Sequence, residues 1–303
     1  MSTRRTFLKQ GGLLAGASLL PMHHIMAEVM GIQAGEMKGL RRNVGIYTER
    51  GGTIGWMIDN EGVIVIDTQF PDQAKNLIGK IKEKTDRQVD LLINTHHHGD
   101  HSGGNIAFKG FVKQVVAHTN SKFHQERVAK ERGTLEQNLL PDTTYDANWT
   151  KKVGGETVSL HYFGAGHTSG DTMIHLENAN VVHMGDLLFN HRMPYIDPVA
   201  GASIKNWIKV LKQARKTFDK DTLFIFGHAA QGYEVTGTLA DLKAKELYLK
   251  KLLKYVKKEQ KKGTTIEQLK EKTTTIPGAD DWQGGRLKNI NLQVAWDELK
   301  KGK

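Results

Sequence analysis

The chain has 303 residues with an ordinary globular balance of apolar and charged types, enough for one sizeable core or two modest domains. The formal net charge is +10, but from Lys243 onward 16 basic residues face 8 acidic ones. The excess therefore sits near the C-terminus and reads as a solvated helix face, not as a nucleic-acid footprint. Cysteine is absent, which excludes disulfides, thiolate nucleophiles and thiolate metal ligands.

The first segment, Thr3-Arg4-Arg5-Thr6-Phe7-Leu8-Lys9, precedes a weakly apolar run from Gly11 to Met22 that is too short to span a bilayer. It resembles the twin-arginine export signal of bacteria. The resemblance implies cleavage near Ala27, a periplasmic or otherwise exported protein, and membrane contact only through that signal. Two strands are predicted around the turn Asp59-Asn60-Glu61-Gly62, the second being the apolar run Val63 to Ile66. A helix follows over Asp72 to Lys84, then a buried strand over Val89 to Thr95. Further strands are predicted at Gln114 to Ala117, Thr157 to Phe163, Val181 to Met184 and Thr222 to Phe226. Ser203 reads as the N-cap of a helix with Ile204, Trp207, Ile208, Leu211 and Phe218 on one face. From about Leu239, leucines at three- and four-residue spacing in a lysine-rich background predict a helical extension. A short helix is predicted near Thr264, where Thr264 and Glu267 have capping-box spacing, with Pro277 and Gly278 beyond it. The domain reading is therefore a signal over 1–27, a main α/β domain over 28–238 and a basic helical extension over 239–303.

The ends of these strands carry metal-ligand chemistry. His96, His98, Asp100 and His101 follow the strand that ends at Thr95, His167 follows the strand over Thr157 to Phe163, and Asp186 and His228 follow two later ones. Imidazole nitrogen and carboxylate oxygen suit zinc and also iron or manganese, so the ligand types alone do not choose the metal. His97 sits between two such positions and reads as a supporting or surface group. His118, His124, His161, His175 and His183 read as surface or satisfied core histidines.

The ordered set His96-x-His98-x-Asp100-His101, His167, Asp186, His228 resembles the ligand series of the metallo-β-lactamase-fold hydrolases over about Gly45 to Gly232. That resemblance implies an α/β fold of four layers, αββα, and two metal ions, most simply zinc. His96, His98 and His167 would hold one and Asp100, His101 and His228 the other, with Asp186 bridging and Asp67 orienting the first set. It further implies that a hydroxide bridging the metals is the nucleophile and that Asp100 also shuttles a proton. The substrate would be a small molecule with an ester, lactone, thioester or amide-type carbonyl, or a phosphodiester. Because the chain lacks cysteine and has Asp186, the ligand set looks glyoxalase-II-like. The stretch from Met184 to Leu211 is similar to quinoprotein relay system zinc metallohydrolases, which implies that Asn190, His191, Arg192 and Tyr195 lie at the mouth of the site against substrate, and that a periplasmic quinoprotein is a partner. Three alternatives stand beside this reading: β-lactam hydrolysis as main or side activity, a mononuclear iron persulfide dioxygenase, and a non-catalytic periplasmic metal-binding protein.

Overall fold

Runs of β-branched and aliphatic residues become the inner strands of two sheets. The computed structural model describes residues 35–301, so the signal expected over 1–27 lies outside the described residues. Seven strands pair in chain order: β1 (Glu36–Arg41), β2 (Val44–Thr48), β3 (Ile54–Ile58), β4 (Val63–Ile66), β5 (Leu91–Ile93), β6 (Val115–His118) and β7 (Thr143–Tyr145). The first four are antiparallel, and β4 to β7 run parallel. The second sheet contains β8 (Asn148–Val153), β9 (Glu156–His161), β10 (Met173–Leu176), β11 (Val181–His183), β13 (Leu223–Ile225) and β15 (Thr236–Gly237), in the order β15-β13-β11-β10-β9-β8. A separate parallel pair joins β12 (Phe189–Asn190) to β14 (His228–Ala229). The helices are α1 (Pro71–Lys82), α2 (Gly99–Ser102), α3 (Thr119–Glu131), α4 (Ile204–Thr217), α5 (Leu239–Lys261), α6 (Ile266–Lys272) and α7 (Gly285–Lys301). No helix among the described residues is long and apolar enough to cross a membrane.

Side chains alternate across each strand, and the alternation assigns the layers. Ile64 and Ile66 face the second sheet and meet Val158, Leu160, Ile174 and Ile225. Val63 and Val65 face the other way, onto Ala74, Leu77, Ile78 and Ile81 of α1. The outer face of the second sheet, with Val182 and Phe224, packs on Trp207 and Leu211 of α4 and on Leu249, Leu252, Leu292 and Trp296 of the C-terminal helices. Helices thus cover two face-to-face sheets, giving the four-layer αββα arrangement. Segment 239–301 shares one apolar cluster with α4 and the sheet instead of forming a core of its own.

Local chemistry sets the boundaries. Helix α1 starts one residue before its predicted position because Pro71 occupies its first turn, where a missing N–H costs nothing. Ser203 caps α4 by accepting from the Asn206 N–H at 3.2 Å. The capping box of α6 is Thr265 with Gln268 and not Thr264 with Glu267. Thr264 instead donates its hydroxyl to Glu259 at 3.1 Å. Strand β5 is shorter than the predicted Val89 to Thr95, because Val89 makes only an isolated bridge to Val112 and Thr95 turns its N–H to Asp67 at the start of the turn that carries the histidines.

Candidate metal centre

The site is built on the loop after β5. Thr95 is anchored by Asp67, a fully buried carboxylate just past β4, whose Oδ1 accepts the Thr95 N–H at 2.8 Å and whose Oδ2 accepts the Thr95 hydroxyl at 2.7 Å. The same Oδ2 accepts from His101 Nδ1 at 2.7 Å. His98 then sits at the N-terminal boundary of the one-turn helix α2, and that turn brings Asp100 and His101 back toward the histidines before it. His167 lies in the loop after β9. Asp186 lies in the 3-10 turn Gly185–Leu187 after β11, and His228 begins β14. Two glycines keep the room open: a Cβ on Gly52 would meet the His101 ring at 2.1 Å, and one on Gly227 would meet Asp186 Oδ1 at 2.0 Å.

All seven side chains converge. His96 Nε2 is 3.1 Å from His98 Nδ1, which is 2.9 Å from His167 Nε2. Asp186 Oδ2 lies 3.4 Å from His167 Nε2 and 3.8 Å from His96 Nε2. On the other side, His101 Nε2 is 3.4 Å from His228 Nε2, and His228 Nε2 is 3.2 Å from Asp100 Oδ2. The second oxygen of Asp186 lies 3.1 Å from His101 Nε2 and 3.4 Å from His228 Nε2. Asp186 therefore stands between two groups of three, one carboxylate oxygen toward each.

The hydrogen bonds decide what these atoms offer. A neutral imidazole has one N–H and one lone pair, and committing the N–H fixes where the lone pair points. His167 Nδ1 donates to the Tyr195 carbonyl at 2.7 Å, His98 Nε2 donates to Asp197 Oδ2 at 2.9 Å, and His101 Nδ1 donates to Asp67. Thr95 gives its own proton to Asp67, so its oxygen accepts from His96 Nδ1 at 3.0 Å. The opposite nitrogens of His96, His98 and His167 then carry lone pairs aimed at one another and at Asp186 Oδ2, while Asp186 Oδ1 faces His101 Nε2 at 3.1 Å. Facing lone pairs repel unless a cation lies between them, so the donor set fits a metal centre with orienting partners already in place. Two groups, His96/His98/His167/Asp186 and Asp100/His101/His228, could each hold an ion.

The electrostatics agree. Burial, reinforced by His101, pulls His96 well below the usual imidazole range, and burial pulls His167 down to about 3, so both rings are neutral and able to ligate at neutral pH. Burial pushes Asp186 up, but His228 and His101 more than reverse this and keep it ionised. Burial also pulls His101 down, yet Asp186, Asp67 and Asp100 raise it well above its ordinary value. It carries a proton that an incoming cation would displace.

Around the centre, a cavity of about 590 Å³ is lined by Asp100, Asp186, His228, Phe189, Arg192 and Tyr195 among others. Asn190 and His191, expected at its mouth, lie elsewhere. Asn190 is buried and donates to the Glu234 carbonyl at 2.9 Å, while His191 stacks on Tyr233 with ring centroids 4.1 Å apart. His97 is buried, not at the surface, and its ring tilts against His124 at 4.9 Å. His118 and His183 are satisfied core histidines. His118 accepts from Asn120 N–H, and His183 Nε2 donates to the Thr53 carbonyl at 3.0 Å. The residue that the sequence reading missed is Asp197, which holds His98 while its Oδ1 accepts the Val199 and Ala200 N–H groups at 3.0 and 3.1 Å. Its signal is the Asp-Pro turn of "YIDPVAG", which marks a backbone-capping aspartate but not the side chain it orients.

Residues 47–228 match the family model described as the metallo-beta-lactamase superfamily. A metallo-beta-lactamase type 2 from Bacteroides fragilis is 24% identical over 188 residues, 59% of this chain and 72% of that protein. One from Bacillus cereus is 26% identical over 202 residues, 64% and 76% of the two chains. Among solved structures, a metallo-beta-lactamase from Pontibacter korlensis superposes with a TM-score of 0.58 at 20% identity, covering 71% of this chain and 99% of that one. A stereoselective inverting sec-alkylsulfatase from Pseudomonas sp. superposes with a TM-score of 0.67 at 14% identity over 87% of this chain. The chain spans 50% of that sulfatase's length.

Proposed function

The chain belongs to the metallo-beta-lactamase superfamily and is a metal-dependent hydrolase of it, and from that premise we propose that it is an exported binuclear zinc enzyme acting on a small molecule. The bond cut is that of an ester, lactone, thioester or amide-type carbonyl, or of a phosphodiester. The observation that carries this reading is the position of Asp186, whose two oxygens face two separate groups of three ligand atoms. A single-ion centre has no use for the second group, so the retention of His101 and His228 favours hydrolysis over the mononuclear iron alternative. When bound, two zinc ions would acidify a water to near neutrality and polarise the scissile group.

The chain's own residues do the rest. Asp186 fixes the separation of the two halves. Asp67, Thr95, Asp197 and the Tyr195 carbonyl hold the imidazoles in the tautomer that presents lone pairs inward. Asp100 is a third exposed, 3.2 Å from His228, and in this reading takes a proton and passes it to the leaving group. Phe189 stacks on His228 at 5.3 Å and keeps one side of the site dry. β-Lactam hydrolysis is the second reading, favoured by relatives named as metallo-beta-lactamases at 24–26% identity.

Metal analysis of chain purified without added metal, with the same sample assayed on lactone, thioester, phosphodiester and β-lactam substrates, tests the reading. Near two zinc ions per chain and turnover of one class are expected. About one iron per chain, with oxygen uptake on a persulfide and no hydrolysis, would overturn it. Asp186→Ala is expected to lose turnover while remaining folded, and wild-type rates from that variant would sink the bridging role. Replacing Arg4 and Arg5 with lysine should hold the protein in the cytoplasm, and unchanged fractionation would refute export by this route.

A further inference from the structure

The two outer helical layers differ in charge. Over the first sheet, α1 and α3 mix both signs, and Lys75–Asp72, Arg127–Glu131 and Lys130–Glu126 pair at 3.1, 2.8 and 3.9 Å. Over the second sheet, α4 has no acidic residue at all. Lys205, Lys209, Lys212 and Lys216 recur along it at three- and four-residue spacing, opposite the buried Trp207, Leu211 and Ala214, and all four are exposed. Helix α5 repeats the pattern, with Lys250, Lys254, Lys258 and Lys261 opposite its buried Leu249, Leu252 and Val256. Its acidic residues do not interrupt that stripe. Asp241 closes the capping box with Thr238. Glu246 is buried against Arg215 of α4 at 2.9 Å and Lys250, and Glu259 is buried against Lys262 at 2.8 Å and Lys272.

Both helices turn their buried sides to the cluster on the outer face of the second sheet, so the two lysine stripes face outward from one layer. Helix α4 runs for about 21 Å and α5 for about 34 Å, which makes the basic face long. Its composition selects the partner. A specific protein interface is centred on aromatic, arginine or large apolar anchors. Among the described residues, Leu247 is the one large apolar side chain exposed on either helix, and Arg215 is occupied by Glu246. Lysines are flexible point charges without the fixed fork that reads a single carboxylate or phosphate. A spread of them suits a laterally mobile sheet of anionic headgroups, to which the attraction adds lysine by lysine without a register.

We infer that the lysine face of α4 and α5 seats the folded domain on an anionic phospholipid surface, reversibly and without insertion. The inference is independent of the reaction at the metal centre. It adds a contact by the folded domain to the one that the N-terminal resemblance implies. Sedimentation of the full chain with vesicles tests it, using phosphatidylcholine alone and equal parts of phosphatidylcholine and phosphatidylglycerol. Binding to the mixed vesicles only, released as added salt shortens the screening length, is expected.

The N-terminal segment carries Arg4, Arg5 and Lys9, so the deciding comparison is between two variants that both keep it. Lys209→Gln, Lys212→Gln, Lys254→Gln and Lys258→Gln together should weaken binding about thirtyfold or more while leaving Tm unchanged. Arginine at the same four positions should keep binding near that of the wild type. Lys75→Gln, Lys80→Gln, Lys122→Gln and Lys130→Gln on the opposite layer remove the same charge and should weaken binding no more than about threefold. Equal weakening by the two glutamine variants would make the attraction one of net charge alone, and no weakening by either would assign it to the N-terminal segment. Each result overturns the inference. So does equal binding to both kinds of vesicle, or failure of the wild type to bind the mixed ones, which would leave the face to a nucleic acid or an acidic protein.

Discussion

At the scale of single residues, the stretch from His96 to His101 was legible because its ligands are close in sequence and the glycines beside them announce a tight turn. Asp197 was not, since it reaches His98 from 99 positions away and no spacing ties the two. Its role is nonetheless testable. Burial pushes the Asp197 carboxyl up, but the His98 N–H and the backbone of Ala200 hold it below the usual carboxylate range, so it stands as an anion behind His98. An anion there raises the basicity of the opposite nitrogen and fixes the ring, an effect typically worth about 10–100-fold in metal affinity. Asp197→Asn should weaken zinc binding at the His96/His98/His167 group by about tenfold in competition with a chromophoric chelator. Unaltered affinity would show that the His98 ring is held by packing alone.

Among the elements, α5 shows how much of a helix can be read and what stays hidden. Its leucine spacing gave the helix, and Thr238 with Asp241 closes a capping box at its start. Its lysines were read as a solvated face, yet Lys245 is fully buried, with its Nζ unbonded amid the rings of Phe189, Trp207, Tyr248 and Trp282 at 4.8–5.3 Å. The signal was present: Lys245 lies three residues after Leu242 and four before Leu249, on the apolar stripe. Periodicity places a residue on a face, but it cannot say that a cation there is enclosed. Burial drives the Lys245 amine well below its ordinary range. Between that depressed value and the unfolded pKa of about 10.4, the unfolded chain binds the extra proton, so stability rises with pH across the window. At neutral pH the wild type carries this penalty. Lys245→Met should therefore raise Tm by a few degrees at pH 7, with the gain shrinking toward pH 10. Thermal melts at both pH values check it, and a lower Tm in the variant would mean that the rings hold a charged ammonium.

Over the whole molecule, the ligand order carried a family resemblance that implied the four-layer fold, but the place of the C-terminal segment in it did not follow. A helical pattern shows which face is apolar, not which surface that face meets. Thirteen buried residues of the cluster on the outer face of the second sheet come from beyond residue 238, Leu249, Leu252, Leu292 and Trp296 among them. Burying one large apolar side chain is worth roughly 1.5–3 kcal/mol, so uncovering a few of those against which this segment packs removes stability of the order of the roughly 5–15 kcal/mol by which a domain is stable. Trp207 and Leu211 of α4 would lose their cover, and the cavity would lose the wall supplied by the first turn of α7. A chain ending at residue 238 should therefore be insoluble or melt without a cooperative transition, even though it retains all seven candidate ligands and the whole of the family match. Differential scanning calorimetry of that truncation with zinc present decides the point. A sharp transition together with two bound metals would make the C-terminal helices an appendage, whereas their loss would make them the fourth layer on which the metal centre stands.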